Sequence, residues 1–276
     1  NKWFHWFTGL VVGISGLVSG ILVVAANAWM NSPAGFEYTG GKYFNIDPIK
    51  AMFNDAWFSQ ALHMCIAAFA ATGFAVAGVH AYMIVRKKNI EFHTKAFRIA
   101  AVFACAAAIL QPLSGDHSAK DVAKRQPAKL AAMEAVFQTQ THSPLLIGGI
   151  PDEKNKTVQY GIEIPGMLSF MISGNTSTEV KGLDQIPVQD HPPVLITHLA
   201  FQVMVALGML MFAISILYFF GLWKKRSWQE KSWLLKLFAL ATPIGFIAVE
   251  AGWTVTEVGR QPWIIYGFMR TADAVT

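Results

Sequence analysis

Five apolar stretches, each about long enough to cross a bilayer, limit what this chain can fold into more than any other feature. Lipid offers no hydrogen-bond partners to the backbone, so a span of roughly 20 apolar residues must be an α-helix. Of the 276 residues, 54% are hydrophobic and only 14% are charged. The predicted fold class is therefore an all-α, polytopic transmembrane helical bundle. Its five predicted spans cover residues 7–27, 57–85, 96–113, 194–222 and 234–258.

Two short loops carry clusters of basic residues, which predict the orientation of the bundle. Residues 86–88 join spans two and three, and residues 224–226 join spans four and five. Short basic loops stay on the cytoplasmic side of a membrane. The net charge of +5 thus has a topological origin, and we expect no nucleic-acid partner. The alternation of spans then predicts that the long segment 114–193 is extracytoplasmic.

These features predict three regions. Residues 1–113 hold spans one to three, residues 114–193 form the long outer segment, and residues 194–276 hold spans four and five. Alanine, leucine and methionine at helical spacing predict a helix over residues 127–138 in the outer segment. The short amphipathic segment after Pro262 predicts a re-entrant or surface helix. The chain begins at Asn1 with no initiator methionine, and we expect it to be an internal piece of a longer protein.

Span five carries charged residues, which are costly in a bilayer and usually serve ions, protons or a cofactor. Glu250, Trp253, Glu257 and Arg260 fall at helical spacing on one stripe. Lipid cannot solvate this stripe, so it is predicted to face protein, toward a cofactor or buried water. The alternative is a structural ion pair between Glu257 and Arg260, which leaves Glu250 unexplained.

One histidine and one methionine lie at similar depths in the outer halves of their spans. His63 in span two is a hydrogen-bonded core residue or a ligand, and Met204 in span four is a packing residue or a ligand. A histidine and a methionine facing each other across a bundle are the axial pair of a low-spin, electron-transfer haem. The residues alone leave both readings of each side chain open.

The end of span five carries the motif by which the chain is identified. Residues 259–263, Gly-Arg-Gln-Pro-Trp, follow Glu250 and Glu257. This run closely resembles subunit I of the cytochrome bd-type quinol oxidases. Further stretches match that subunit in the same order, including the Phe-x-x-Met of span four. The others are residues 27–30 (Asn-Ala-Trp-Met), 115–116 (Gly-Asp), 129–134 (Lys-Leu-Ala-Ala-Met-Glu) and 149–151 (Gly-Ile-Pro).

The resemblance implies an enzyme that couples quinol oxidation to the reduction of oxygen to water in a respiratory chain. It implies a low-spin haem b held by His63 and Met204, and a high-spin haem b. It also implies a third haem, which is haem d or a second high-spin haem b. Glu257 is implied as the ligand of one high-spin haem.

The same resemblance implies further roles and surroundings. Trp253 would lie between the low-spin haem and the high-spin pair, Arg260 would compensate propionate or carboxylate charge, and Glu250 would lie on a proton route. The implied partners are quinol, oxygen, a second membrane subunit and the lipid bilayer. The implied location is a bacterial cell (inner) membrane, which the chain crosses several times.

The outer segment corresponds to the family's quinol-binding loop, in which a lysine and a glutamate are implicated in quinol oxidation. Glu163 is our predicted acid, whereas Gln159 stands near the place expected for the lysine, with Lys156 close by. The chain departs from many relatives at Gln202, where they carry arginine two residues before the methionine. We hypothesise that the low-spin haem lacks a nearby cation and has a lower potential.

Two other classes of function compete with the oxidase. The resemblance implies that the oxidase also needs a histidine ligand for the other high-spin haem and a glutamate pair on a proton channel, which we expect to precede Asn1. An electron-transfer membrane cytochrome b without oxygen chemistry would need neither. A secondary transporter would use the intramembrane glutamates and arginine as substrate or proton sites. Transporters often show internal repeats, and this sequence shows none.

Overall fold

The computed structural model describes residues 1–224 and 231–274, and most of them are helical. Within these ranges five helical segments are long and apolar enough to cross a membrane, as predicted, so the chain is a multi-pass membrane protein. The helices are α1 (Lys2–Asn31), α2 (Pro48–Met52), α3 (Trp57–Val85), α4 (Ile90–Arg125), α5 (Pro127–Met133), α6 (Met167–Ser173), α7 (Val194–Lys224), α8 (Ser232–Leu240) and α9 (Ile244–Val258).

Short antiparallel strand pairs add to the helices outside the spans. The strands are β1 (Glu37–Thr39), β2 (Lys42–Phe44), β3 (Leu145–Ile147), β4 (Ile150–Asp152), β5 (Thr157–Gln159), β6 (Ile162–Ile164), β7 (Trp263–Ile265) and β8 (Met269–Arg270). They pair as β1–β2, β3–β6, β4–β5 and β7–β8. In the outer segment the β4–β5 hairpin lies between β3 and β6 in sequence, so one strand pair is nested inside the other.

The chain divides into two compact units. The first contains Asn1–Cys65 together with the segment that starts at Trp263, and the second is Ile66–Pro262. In the first unit, the backbone N–H of Tyr266 donates to the carbonyl of Met30 at 2.9 Å. The predicted three-region division at residues 113 and 193 remains a prediction.

The core of the second unit is a tight cluster of aromatic and small side chains. Phe74 stacks on Phe238 with ring centroids 5.5 Å apart, and Phe97 meets Phe238 edge-on at 5.1 Å. Gly73 lets α3 approach α4, because a Cβ there would lie 2.8 Å from the Cβ of Ala104. Small residues at membrane helix contacts allow this close packing.

Span five is a broken helix rather than the continuous one predicted over residues 234–258. α8 ends at Leu240, and α9 begins after Pro243. Proline has no N–H to donate to the carbonyl four residues earlier, here that of Ala239. The Thr242 hydroxyl donates to this carbonyl at 2.7 Å instead, so the break leaves it paired.

Two predicted helix ends in the outer segment are wrong. α4 continues beyond residue 113 to Arg125, because polar residues there pair along the helix, as Lys120 does with Asp116 at 2.6 Å. The helix predicted over residues 127–138 ends at Met133. Ala135 then takes a positive φ of 51°, which stops the helix.

The segment after Pro262 is a β-hairpin, so the predicted re-entrant or surface helix is wrong. β7 pairs with β8, and the guanidinium of Arg270 lies 4.8 Å from the ring centroid of Trp263. This cation–π contact joins residues across the hairpin and is invisible to helical periodicity. Of the predicted basic loop at 224–226, Lys225 and Arg226 lie outside the described residues.

Candidate functional site

An ion pair with a buried arginine lies where α9 ends. An Nη2 atom of Arg260 donates to a carboxylate oxygen of Glu257 at 2.5 Å. The Arg260 side chain is only 3% exposed, against 34% for Glu257. The turn is tight, because a Cβ at Gly259 would lie 3.1 Å from both Lys129 and Thr197. The ion pair that was the alternative reading of the stripe is therefore present, and the turn beside it contacts the outer segment at Lys129.

Lys129 of α5 is the second cation of this cluster. Its side chain is buried, and burial is the main cause that lowers the pKa of its ammonium to about 7. The positive charge of Arg260 lowers this pKa further, while Glu257 opposes the shift. An amine with a pKa near neutrality gains and loses a proton readily at physiological pH.

Glu134 is a buried carboxylic acid immediately after α5. Burial raises the pKa of its carboxyl to about 8, so the neutral acid is the main form at pH 7. Its Oε2 atom has no hydrogen-bond partner among residues 1–224 and 231–274. A buried acid with an unpaired oxygen and a pKa near ambient pH is typical of groups that exchange protons.

Sequence reasoning missed Lys129 and Glu134 as functional residues, although both lie in a stretch used for identification. The available signal was a lysine and a glutamate in a run, residues 128–135, that is otherwise made of alanine, leucine and methionine. By contrast, the predicted acid Glu163 is exposed on β6, opposite Leu146 of β3. The predicted neighbours Gln159 and Lys156 are exposed as well.

Only part of the predicted stripe on span five is brought together. Glu257 and Arg260 pair, whereas Glu250 and Trp253 are exposed in the described chain. Glu250 and Trp253 lie in the middle of α9, about two and one turns before Glu257. Their face is thus available to a group that is not part of the chain.

The predicted ligand Met204 packs against the same helix. It is half-buried on α7, and a Cβ at Gly252 of α9 would lie 2.9 Å from its sulfur. The absence of a side chain at residue 252 therefore makes room for the thioether. His63, the other predicted axial ligand, is half-buried on α3 and belongs to the first unit.

Side chains of the second unit fit a haem. The Met204 thioether and the Glu257 carboxylate are donors for iron. Nε and Nη1 of Arg260 are buried, and no described residue accepts a hydrogen bond from them. Two unsatisfied guanidinium N–H groups suit a propionate carboxylate. The described residues hold no cluster of three metal-ligating side chains. A porphyrin needs only one or two protein ligands, because it supplies four nitrogens itself.

Comparison with known proteins shows which family this chain is related to. All 276 residues match the family model of cytochrome bd terminal oxidase subunit I. A Bacillus subtilis protein named as a cytochrome bd menaquinol oxidase subunit I is 38% identical over 270 residues, which are 95% of this chain and 60% of that protein. A second B. subtilis relative, a cytochrome bd ubiquinol oxidase subunit 1, is 28% identical over 287 residues, covering all of this chain and 61% of the relative.

A solved structure agrees with these relatives. The bd oxidase of Geobacillus thermodenitrificans superposes with a TM-score of 0.89 at 36% sequence identity. The match covers the whole of this chain and 63% of that one. The chain thus spans about three-fifths of the length of the proteins it matches. The chain belongs to the family of cytochrome bd terminal oxidase subunit I.

Proposed function

We propose that the complete protein is the haem-bearing subunit of a terminal quinol oxidase. Two quinols would give up four electrons and four protons, and one oxygen molecule would take up four of each to form two waters. One observation carries the proposal: a cluster of the buried cations Lys129 and Arg260 with the carboxylate of Glu257 joins the outer segment to the last span, in a chain of the subunit I family. A redox site fed by a proton-releasing substrate needs such an arrangement of acids and bases.

Lys129 and Glu134 are the proton acceptors of this proposal. Quinol oxidation releases protons at the outer segment, and each proton needs a base whose pKa is near ambient pH. Burial brings the pKa of Lys129 to about 7 and that of Glu134 to about 8. We therefore place quinol oxidation beside α5. Glu163 stays the rival acid, and an exposed carboxylate there would pass protons to water directly.

The haem ligands remain those implied by the resemblance. His63 and Met204 would hold a low-spin haem b, and Glu257 would hold a high-spin haem, which leaves haem d or a second high-spin haem b as the third group. Bound haem iron would supply the one-electron redox chemistry and the reduction of oxygen. Arg260 would donate its unpaired N–H groups to a propionate and would hold the Glu257 carboxylate in place.

Two residues on the exposed face of α9 complete the proposed site. Trp253 would lie along the electron path between the low-spin and high-spin groups. Glu250 would hold a proton on the way to the oxygen site. Both side chains are exposed in this chain, which leaves them free for contact with bound groups.

The proposed setting is a bacterial inner membrane. The basic residues at 86–88 favour the cytoplasmic side for the α3–α4 turn, so segment 114–193 would face the extracytoplasmic side. A second hydrophobic subunit and the bilayer would cover the large apolar side chains exposed on the spans. These include Trp3, Phe7 and Phe103, which are all more than half exposed.

Oxygen consumption tests the proposal. Membranes that contain the full-length protein and its partner subunit receive menadiol or ubiquinol-1 as reductant in an oxygen electrode. We expect two quinols to be oxidised for each oxygen molecule, with no oxygen returned when catalase is added. No quinol-dependent uptake in membranes that contain the assembled complex would refute the proposal, and oxygen returned by catalase would refute water as the product.

A further inference from the structure

Two side chains of α7 hold the backbone of the outer segment. His198 and Gln202 lie one helical turn apart on the same face. The Nδ1 atom of His198 lies 2.8 Å from the carbonyl of Met133, and its Nε2 atom lies 3.2 Å from the carbonyl of Gly148. The Gln202 amide donates to the carbonyl of Leu146 at 3.1 Å and accepts from the N–H of Gly148 at 2.9 Å.

The amide at position 202 acts like one peptide unit of a neighbouring strand. It offers one donor and one acceptor to successive backbone groups at the end of β3, as a paired strand would. Gly148 has a positive φ of 68°, and both of its backbone groups contact α7 side chains. Arginine or lysine could supply the donor but not the acceptor, so neither cation can replace the glutamine here.

His198 extends the same connection to α5. The ring is fully buried, and Met133, whose carbonyl it contacts, is the last residue of α5. Glu134 follows directly in sequence. Helix α7 therefore carries Met204 and also contacts the backbone on both sides of the loop that begins with Glu134, at Met133 and at residues 146–148.

We propose that His198 and Gln202 are positioning residues that set where the quinol-oxidising loop lies relative to Met204. The inference rests on the proposed function and deepens it, because the two side chains would determine how tightly quinol is bound beside Glu134. The Gln202–Gly148 and His198–Met133 hydrogen bonds each cross more than 50 positions of sequence and join the outer segment to a membrane span. Gln202 would thus act through the loop backbone rather than through an electrostatic effect on a haem.

The test compares three variants of the holoenzyme, purified with its partner subunit. Gln202→Met keeps the length of the side chain and loses both hydrogen bonds. Gln202→Glu keeps an acceptor for the N–H of Gly148 and loses the donor to Leu146. Ser215→Ala is the matched control, because Ser215 is a buried polar residue of α7 whose hydroxyl donates within the helix, to Met211.

Three readouts separate positioning from general damage. Hydrogen exchange of the Gly148 amide, followed in peptides that cover residues 145–150, should accelerate on the order of tenfold in Gln202→Met. It should stay protected in Gln202→Glu and in Ser215→Ala. The KM for menadiol should rise on the order of tenfold in Gln202→Met and less in Gln202→Glu. Oxygen uptake with tetramethylphenylenediamine, a one-electron donor that is not a quinol, should be unchanged in all three.

The outcomes are decisive in each direction. The inference is overturned if Gln202→Met leaves both Gly148 exchange and the menadiol KM at wild-type values. It is also overturned if haem content and diamine oxidation fall in parallel with menadiol oxidation, since that result describes a structural role alone. If Gln202→Met does not assemble, a wild-type KM in Gln202→Glu overturns it. A wild-type enzyme that does not oxidise menadiol or ubiquinol-1 contradicts the proposed function instead, while the exchange data still test the hydrogen bonds.

Discussion

Replacing Glu134 by glutamine should change the pH dependence of quinol oxidation. Burial raises the pKa of this carboxyl from 4.5 to about 8, so ionising it costs about 5 kcal/mol more than in water. Only about one molecule in a hundred carries the carboxylate at pH 6, and about half do at pH 8. If the carboxylate accepts a quinol proton, kcat/KM should therefore rise roughly 50-fold between these two pH values.

The assay is quinol-dependent oxygen uptake by the holoenzyme between pH 5.5 and 9.5, with each variant divided by wild type at the same pH. This ratio removes the ionisation of the quinol itself. Glu134→Gln should lack the inflection near pH 8, so its ratio to wild type should fall roughly 50-fold between pH 6 and pH 8. Glu163→Gln, at the exposed rival position, should keep the wild-type profile. An unaltered inflection in Glu134→Gln would show that this carboxyl does not accept the quinol proton, and its loss in Glu163→Gln would assign the acid to Glu163.

Three further predictions follow from single contacts. Met204→Leu should disturb the low-spin haem spectrum and largely spare the high-spin bands; an unchanged low-spin signal would remove Met204 from the axial position. Glu257→Gln leaves the buried Arg260 without its carboxylate partner. Because Glu257 is partly exposed, we expect the free energy of unfolding to fall by only about 2 kcal/mol and the Tm by roughly 5 °C. Glu250→Gln, at an exposed position, is the control for that melt. Asp184 accepts hydrogen bonds from the Thr139 hydroxyl at 2.7 Å and from its backbone N–H at 2.9 Å, which lower the pKa of its carboxyl. These hydrogen bonds stabilise the folded outer segment fully above pH 3.8, and the stabilisation is lost as the pH falls through the lowered pKa. Limited proteolysis at neutral pH should therefore cut Asp184→Ala a few-fold faster than wild type. In strong acid, where the wild-type carboxyl is protonated, the two proteins should be cut at the same rate.

The membrane spans were predictable because hydropathy is summed over a window of nearly 20 residues. Each of the five segments is long enough that single exceptions do not hide it. Proline is a recognised helix interruption, yet the apolar pattern continues across Pro243 and therefore predicts one continuous span. In the structure, the Thr242 hydroxyl pairs with the carbonyl that the proline leaves without a donor. Polar residues past position 113 indicated a loop, whereas ion pairs along the helix continue α4 to Arg125.

The candidate site was predictable only where a motif carries it. Glu257 and Arg260 lie three residues apart on one helix end, so their ion pair follows from local spacing. Lys129 and Glu134 acquire their shifted pKa values from burial, which depends on packing against α7 and on residues far away in sequence. A helix pattern rich in alanine does not by itself tell which face is buried.

Gln202 illustrates the same limit. Its sequence position suggested only a missing cation near a haem. Its hydrogen-bond partners lie at residues 146 and 148, more than 50 positions away. A side-chain amide that completes a strand edge leaves no periodic trace in the sequence, so only the structure could reveal it.

A reduced-minus-oxidised absorption spectrum, taken with and without carbon monoxide, shows whether the protein holds both an electron-transfer haem and an oxygen-reducing haem. The sample is membranes that contain the full-length protein and its second subunit. We predict a low-spin b-type signal together with a high-spin signal that carbon monoxide shifts; a red chlorin band would specify haem d. A b-type signal blind to carbon monoxide would contradict the oxidase and favour an electron-transfer cytochrome. No haem signal from well-folded protein would contradict every haem assignment made here and leave a transporter.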